Sequence, residues 1–300
     1  MIVVTAAGGS TGTAVVRALR ARDHEVRAVV GSHRPRPDLD HTGAEVVVAD
    51  LGGDPAGLPL AGAQAVYLIW PNFEPSESAG APTAFRAARD AGVGRVVYHS
   101  VLRPRLRAMP HHAAKDRAEE ALDAAGVPWR VLQPCAYADN LDDAVRTAAG
   151  TGELRSPWGL RQAQSLVDLR DVAEAAAVLL TEDGLDGGTF EAVGPAPLTA
   201  PDLAAAMGEH LGRPVTAVDT RVPEQDDYAG RCLRAMFEWY RGHGFTGSPR
   251  VLTDLLGRPP RSYAEHLADL PAASGDDRGA DLPAASGDDR GPALGAAEPR

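Results

Sequence analysis

The sequence predicts an α/β fold in which a doubly wound, mostly parallel sheet carries helices on both faces and is joined by a small C-terminal lobe. Two observations carry this expectation. Residues 1–16, MIVVTAAGGSTGTAVV, run from a short apolar strand through a glycine turn straight into a helix. Beyond them, continuously apolar stretches alternate with stretches of helical spacing, as expected for strand–helix–strand units whose strands are buried on both sides. Such units need right-handed crossovers and place ligands at the carboxyl ends of the strands.

Taken in order, Ile2–Thr5, Glu25–Val30, Glu45–Ala49, Ala65–Ile69, Arg95–His99 and Trp129–Leu132 read as strands. Helical spacing covers Gly12–Arg22, Ser78–Ala91 and His112–Ala125. After Pro134 the pattern loosens. Helices are expected at Ala138–Ala149, Asp171–Leu180, Ala200–Leu211 and Tyr228–His243, with extended pieces at Ser165–Leu169, Gly188–Val193 and Pro214–Val218. This portion reads as two last contributions to the sheet plus a lobe over its edge. The expected division is a nucleotide-binding domain over 1–195, with 135–165 contributing to the lobe, a substrate-binding lobe over 196–267, and a tail over 268–300. In the tail the twelve residues ADLPAASGDDRG occur twice in succession, as Ala268–Gly279 and Ala280–Gly291. Rich in Ala, Gly, Pro and Asp and lacking aromatics, the tail cannot bury enough apolar surface to offset its ordering entropy, so disorder is expected.

Composition narrows the function. The net charge is −11, and still about −7 without the tail, which argues against a general affinity for nucleic-acid backbones. No apolar run approaches a bilayer span and the N-terminus lacks the basic flank of a signal peptide, so a cytoplasmic protein with no membrane partner is expected. Cys135 and Cys232 offer neither a metal-ligand spacing nor a disulfide framework and read as buried thiols. No metal is expected, because the His111–His112 pair lacks carboxylates on a second element.

The glycine turn is a place to hold a diphosphate: glycines let the backbone approach it, and the first N–H groups of the helix stabilise its oxygens. Taking Gly9 and Gly12 as the second and third glycines of a G-x-x-G-x-x-G turn puts the first on Ala6, with Gly8 an extra glycine; Ser10 and Thr11 complete the cradle. A dinucleotide site reads the adenosine ribose at the end of the second strand. An acid there suits NAD, whereas cations suit the 2′-phosphate of NADP. No acid lies between Arg27 and Arg36, and Ser32, His33, Arg34 and Arg36 can surround a phosphate, which favours NADP(H) over NAD(H). The alternative is a solvated loop whose arginines do nothing specific. Asp50 and Leu51, after the third strand, are placed to border the adenine, and Trp70, Lys115 and Pro134 complete the expected cofactor contacts.

Reductive chemistry needs a donor on the substrate oxygen, a proton source and groups that fix the ribose. His111 and Lys115, four apart on one helical face, can supply them, and Ser100 can add a hydroxyl from the preceding strand. The competing reading has His111 capping the helix, His112 packing, and Lys115 paired with Glu119. Aromatic and amide side chains at Trp70, Asn72, Phe73, Tyr137, Asn140 and Trp158 are expected to meet above the site and favour a flat ligand. The stripe Met236, Phe237 and Tyr240 reads as core rather than pocket.

Taken together, the glycine turn, VVYHSVL at 96–102, MPHHxxKxxxEE at 109–120, VLQPxxYxxNL at 131–141 and VDLRDVAEAA at 167–176 resemble the NmrA-like group of atypical short-chain dehydrogenases/reductases over about residues 1–267. The resemblance implies a Rossmann-like nucleotide-binding domain with a small lobe closing over the nicotinamide end. The chain departs from that pattern in three places. Ordinary short-chain dehydrogenases use Tyr-x-x-x-Lys where this chain has His111-x-x-x-Lys115, Ala6 adds a methyl group at the turn, and Gly31 stands where the group commonly carries an arginine for the 2′-phosphate. Members of the group include reductases of quinones, dyes and enones, and also NADP-binding regulators. The expected function is therefore NADPH-dependent reduction of a small or medium planar carbonyl, quinone or enone by a monomer or homodimer. The alternatives are an NADP(H)-sensing binding protein without turnover, or a non-redox isomerase or lyase on the same scaffold.

Overall fold

A computed structural model describes residues 1–270 apart from 33, 35, 223 and 224. The expectations for His33 and for the repeats beyond residue 270 lie outside the described residues. The first half alternates strands β1 (Ile2–Val4), β2 (Val26–Val30), β3 (Glu45–Val48), β4 (Ala65–Leu68), β5 (Arg95–His99) and β6 (Trp129–Pro134) with helices α1 (Ser10–Arg20), α2 (Pro37–Asp40), α3 (Glu77–Asp90) and α4 (Pro110–Asp123). Then follow β7 (Ala136–Tyr137), α5 (Asp142–Thr151), β8 (Glu153–Ser156), β9 (Gln164–Val167), α6 (Leu169–Thr181), β10 (Gly188–Ala192), β11 (Pro197–Leu198), α7 (Ala200–Leu211), β12 (Thr216–Asp219), α8 (Tyr228–His243), α9 (Arg250–Leu256) and α10 (Tyr263–Ala268).

Seven strands make one parallel sheet in the order β10-β6-β5-β4-β1-β2-β3. The chain winds outward from β1 to β3 and then returns past β1 to β4. Strand order therefore reverses between β1 and β4, and the crevice above that reversal is where ligands enter doubly wound folds. The strands are apolar throughout because both faces are covered. Ile2, Val4, Tyr67, Val97 and Leu132 pack with α1 and α6, whereas Val3, Val66, Leu68, Tyr98 and Val131 pack with α3 and α4. The buried alanines of α6 (Ala173, Ala175, Ala176 and Ala177) let that helix lie close against α1.

One expectation about the second half needs correction. Only β10 joins the large sheet; the segment expected at Ser165–Leu169 forms β9, which lies between β7 and β11 in a separate three-stranded sheet. The reason is local: β9 runs directly into α6, whose docking on α1 carries the chain to that face before β10 returns to the sheet edge.

A buried ion cluster fastens the last helix. His266 of α10 faces Asp142 through Nε2 at 2.8 Å and Asp168, the N-cap of α6, through Nδ1 at 3.2 Å. Burial works against a charge on His266, but the two carboxylates outweigh it and raise its pKa from 6.5 to about 9. Burial likewise pushes Asp168 up, yet hydrogen bonds from Arg170 and His266 hold it well below the ordinary carboxylate range. Because the folded-state pKa of His266 is raised, its stabilisation is complete below about pH 6.5 and is lost as pH rises through about 9. Thermal unfolding is expected to shift to lower temperature over that interval. His266→Gln should flatten the dependence and lower stability at neutral pH by about 1.5–3 kcal/mol, the usual worth of hydrogen bonds to charged groups.

Candidate active site

The glycine turn closes on itself before α1 begins. Gly9 is the N-cap and brings no side chain, so nothing local covers the first-turn N–H groups of Ser10, Thr11 and Gly12, and no acidic residue sits in that turn. Gly12 is buried where α1 meets the turn: a Cβ there would lie 2.5 Å from the Ala6 carbonyl oxygen and 2.6 Å from the Ala7 Cα. Ala6 itself takes φ +44°, a conformation that suits glycine, so the position read as a missing first glycine keeps the backbone of one. Arg36 lies across the turn. Its Nη1 donates to the Gly8 carbonyl at 2.9 Å and its Nη2 to Ser32 Oγ at 3.4 Å, and a side chain at Gly8 would strike the guanidinium. Arg34 is exposed on the same loop, as is Gly31. Asp50 turns back on its own loop to accept from the Gly53 N–H at 3.0 Å, and Leu51 is buried in the core, so neither is on the cavity wall.

A cavity of about 220 Å³ extends from this turn over the ends of β4, β5 and β6. Ala6, Gly9, Ser10, Thr11, Gly12, Trp70, Lys115 and Pro134 of the expected cofactor set line it, with Ser100 and His111 of the expected catalytic set. Asn72, Phe73, Tyr137 and Asn140 line it as well. Trp158 does not. It is 3% exposed and packs beside Phe237, with ring centroids 6.2 Å apart, because the loop after β8 turns into the core beneath α8. The wall it was expected to form comes instead from Leu233, Met236 and Tyr240 of α8 and from Phe245. Of the α8 stripe read as core, Phe237 and Tyr240 are buried there, Tyr240 also meeting the cavity, whereas Met236 is only partly buried and faces it.

Lys115 pairs with none of Asp116, Glu119 and Glu120, the acids nearest it in sequence. Its ammonium donates to Glu77 Oε1 at 2.8 Å and to the His99 carbonyl at 3.1 Å; Glu77, 4% exposed, also accepts from Tyr98 Oη at 2.7 Å. The pairing with Glu119 is replaced because Glu119 is taken by Ser100 Oγ and by Gln133 Nε2 at 2.9 Å. Burial raises the Glu119 pKa against those hydrogen bonds. The proton of Ser100 is thus directed away from the cavity.

Three histidines meet the cavity, and burial first, then neighbouring charge, keeps each neutral. The pKa of His99 is lowered to about 3, with Lys115 assisting; that of His112 is lowered to about 4 despite a hydrogen bond to the Arg103 carbonyl; that of His111 lies well below its ordinary value. His111 does not cap α4, whose N-cap is Met109. Its ring stands edge-on between Phe73, at 5.1 Å, and His112, at 4.5 Å. Phe73 reaches it from a backbone at φ +53°, a strained setting for an aromatic residue. Because His112 Nδ1 faces a carbonyl at 3.1 Å it must carry the proton, which leaves Nε2 a bare acceptor. That atom, His111 Nδ1 and Trp70 Nε1 are buried polar atoms with no hydrogen-bond partner among the described residues. Native interiors rarely leave such atoms unpaired, and three around one cavity point to a ligand.

The sequence reading missed a hydrogen-bonded chain at the same place. Tyr67 Oη lies 2.6 Å from His99 Nδ1, and His99 Nε2 lies 2.9 Å from Tyr137 Oη, which in turn sits 3.5 Å from Thr11 Oγ1. The signal was in the strand register: Tyr67 pairs with Val97, so His99 two residues on projects from the same face.

The NmrA-like family model matches residues 1–253. The chain belongs to this family. It is 29% identical over 290 residues to a (4-alkanoyl-5-oxo-2,5-dihydrofuran-3-yl)methyl phosphate reductase of Streptomyces griseus, covering 90% of this chain and 97% of that one. An NAD(P)H azoreductase of Xenophilus azovorans is 25% identical over 291 residues, with coverage of 92% and 99%. Among solved structures, an NADPH-dependent quinone oxidoreductase of Escherichia coli complexed with NADPH superposes with a TM-score of 0.78 at 22% identity, covering 89% of this chain and 99% of that one.

Removing one member of the Lys115–Glu77 pair leaves a buried charge behind. Lys115→Met is expected to cost about 3–5 kcal/mol in thermal or denaturant unfolding. The double variant Lys115→Met/Glu77→Gln, which removes both charges, should recover most of that loss.

Proposed function

We propose that the chain is an NADPH-dependent reductase of small or medium planar carbonyls, quinones or enones. The observation that carries the reading is the continuity of one cavity from the glycine turn to a wall of neutral aromatic and imidazole rings. The residues fit a nicotinamide dinucleotide. The uncovered N–H groups of Ser10–Gly12 suit a diphosphate, Arg36 with Ser32 and Arg34 suits a 2′-phosphate beside Gly8, and Lys115, with two of its three N–H groups engaged, has one left for a ribose hydroxyl. When bound, a reduced nicotinamide supplies a hydride.

The remaining cavity favours a neutral, flat acceptor. Its histidines are uncharged and the charge of Lys115 is balanced by Glu77, so an anionic group would find no uncompensated cation among the described lining residues. His111 Nδ1 and His112 Nε2 are placed to hold polar atoms of such a ligand. Since burial denies His111 a proton to store, its part is to orient rather than to protonate. Both curated relatives are reductases by name, which agrees with this reading.

Purified protein is expected to oxidise NADPH when offered a panel of uncharged quinones, ketones and enones, with NADH a poorer donor. Binding of NADPH without turnover on any of them would contradict the reading and favour a sensing role. Arg36→Ser should raise KM for NADPH about 10- to 100-fold, the worth of a charge-assisted hydrogen bond, and leave KM for NADH nearly unchanged.

A further inference from the structure

We infer that Tyr137 is the acid of the site and that Tyr67, acting through His99, sets the direction in which its proton points. The inference rests on the reductase reading for its reaction, but not for its geometry.

Tyr67 is fully buried, and among the described residues its hydroxyl has a single hydrogen-bond partner, His99 Nδ1 at 2.6 Å. A buried phenol must give its proton to an acceptor or leave a donor unpaired. Tyr67 therefore donates to Nδ1. A neutral imidazole carries one proton, so with Nδ1 accepting, the proton is on Nε2 and is donated to Tyr137 Oη at 2.9 Å. Burial and the nearby Lys115 keep His99 neutral, its pKa lowered to about 3, which removes the doubly protonated ring from consideration. With its oxygen accepting from His99 Nε2 and, at 3.5 Å, from Thr11 Oγ1, Tyr137 directs its own O–H away from both, toward the cavity that it lines.

The other candidates have been answered by their surroundings. Ser100 already donates its hydroxyl hydrogen bond to Glu119, Lys115 is held by Glu77 and the His99 carbonyl, and His111 is neutral. Tyr137 thus supplies the phenol that the His111-x-x-x-Lys115 pair lacks, from a different element of the fold.

The step balances simply. A hydride added to the substrate carbon moves the carbonyl or conjugated π pair onto the substrate oxygen. The Tyr137 O–H bond breaks, an O–H bond forms on that oxygen, and the electron pair left on Tyr137 is stabilised by the Nε2–H donor. Water restores the phenol after the product leaves. An enone handled this way is released as an enol, and a quinone as the keto tautomer of the hydroquinone, which a proton shift from the reduced carbon to the second oxygen, through water, converts to the hydroquinone. Tyr67 lies behind the cavity wall and His99 acts through Tyr137, so both are positioning residues.

The test begins with long-range ¹⁵N–¹H spectra of the full chain, the His99 signals being identified by their loss in His99→Asn. The expected result is Nε2 protonated and Nδ1 bare in the wild type, with a mixture of tautomers in Tyr67→Phe. Steady-state kinetics with a quinone acceptor should then show kcat reduced about 100-fold in Tyr137→Phe, the usual size of a general-acid contribution, with KM for NADPH retained. An Nδ1-protonated His99 overturns the inference, as does wild-type kcat in Tyr137→Phe. Because the tautomer is read without any cofactor, it remains decisive if a Tyr variant fails to fold. A wild type without turnover would defeat the reductase reading and the acid role with it, while the tautomer would still decide the hydrogen-bond direction.

Discussion

The site depends on how the sheet is held together at the point where it divides. Thr5 follows β1 beside Ile69, which follows β4, and its hydroxyl donates to the Ile69 carbonyl at 2.8 Å while accepting from the Ile69 N–H at 2.9 Å. One buried side chain thus satisfies both backbone groups of Ile69. With those groups paired, the two chains can part without leaving orphan donors: β1 turns into the Ala6–Gly12 loop and β4 continues to Trp70 and Phe73. The crevice between them is the cavity. Gly12 keeps its lower edge tight, because any side chain there would separate α1 from the Ala6 carbonyl.

Around this crevice most of the polar chemistry is already committed. Glu77 neutralises Lys115, Glu119 accepts the hydrogen bond of Ser100, and burial discharges three histidines. Charge is balanced and donors are assigned before any ligand arrives, which is the preorganisation that electrostatic catalysis requires. The few atoms left unpaired at the wall, on Trp70, His111 and His112, mark where a ligand would complete the pattern.

The parts of this arrangement that were legible in the sequence are local. A strand, a turn and a helix follow within sixteen residues, so the glycine cradle could be read directly, and the alternation of apolar and helical stretches located each of the seven strands of the main sheet. Even Ala6, which looked like a defect, follows the rule once its φ is known. What stayed hidden depends on distance in the chain. Glu77 reaches Lys115 across 38 positions and Tyr137 reaches His99 across the same number. Both pairings follow from the order of β4, β5 and β6, which periodicity does not specify. Trp158 and Met236 were exchanged for a related reason: an aromatic residue in a loop and an apolar residue on a helix carry no sign of which side faces a cavity, and the docking of α8 decides it.

In the proposed reductase, the glycine turn and the ring-lined cavity act as one site for a nicotinamide dinucleotide. Calorimetric titration of NADPH into the full chain, repeated in the presence of a saturating uncharged quinone, is the test. One NADPH is expected to bind per chain, with the heat changed by the quinone because the two ligands share the cavity. Absence of NADPH binding, or binding wholly indifferent to the acceptor, would contradict it.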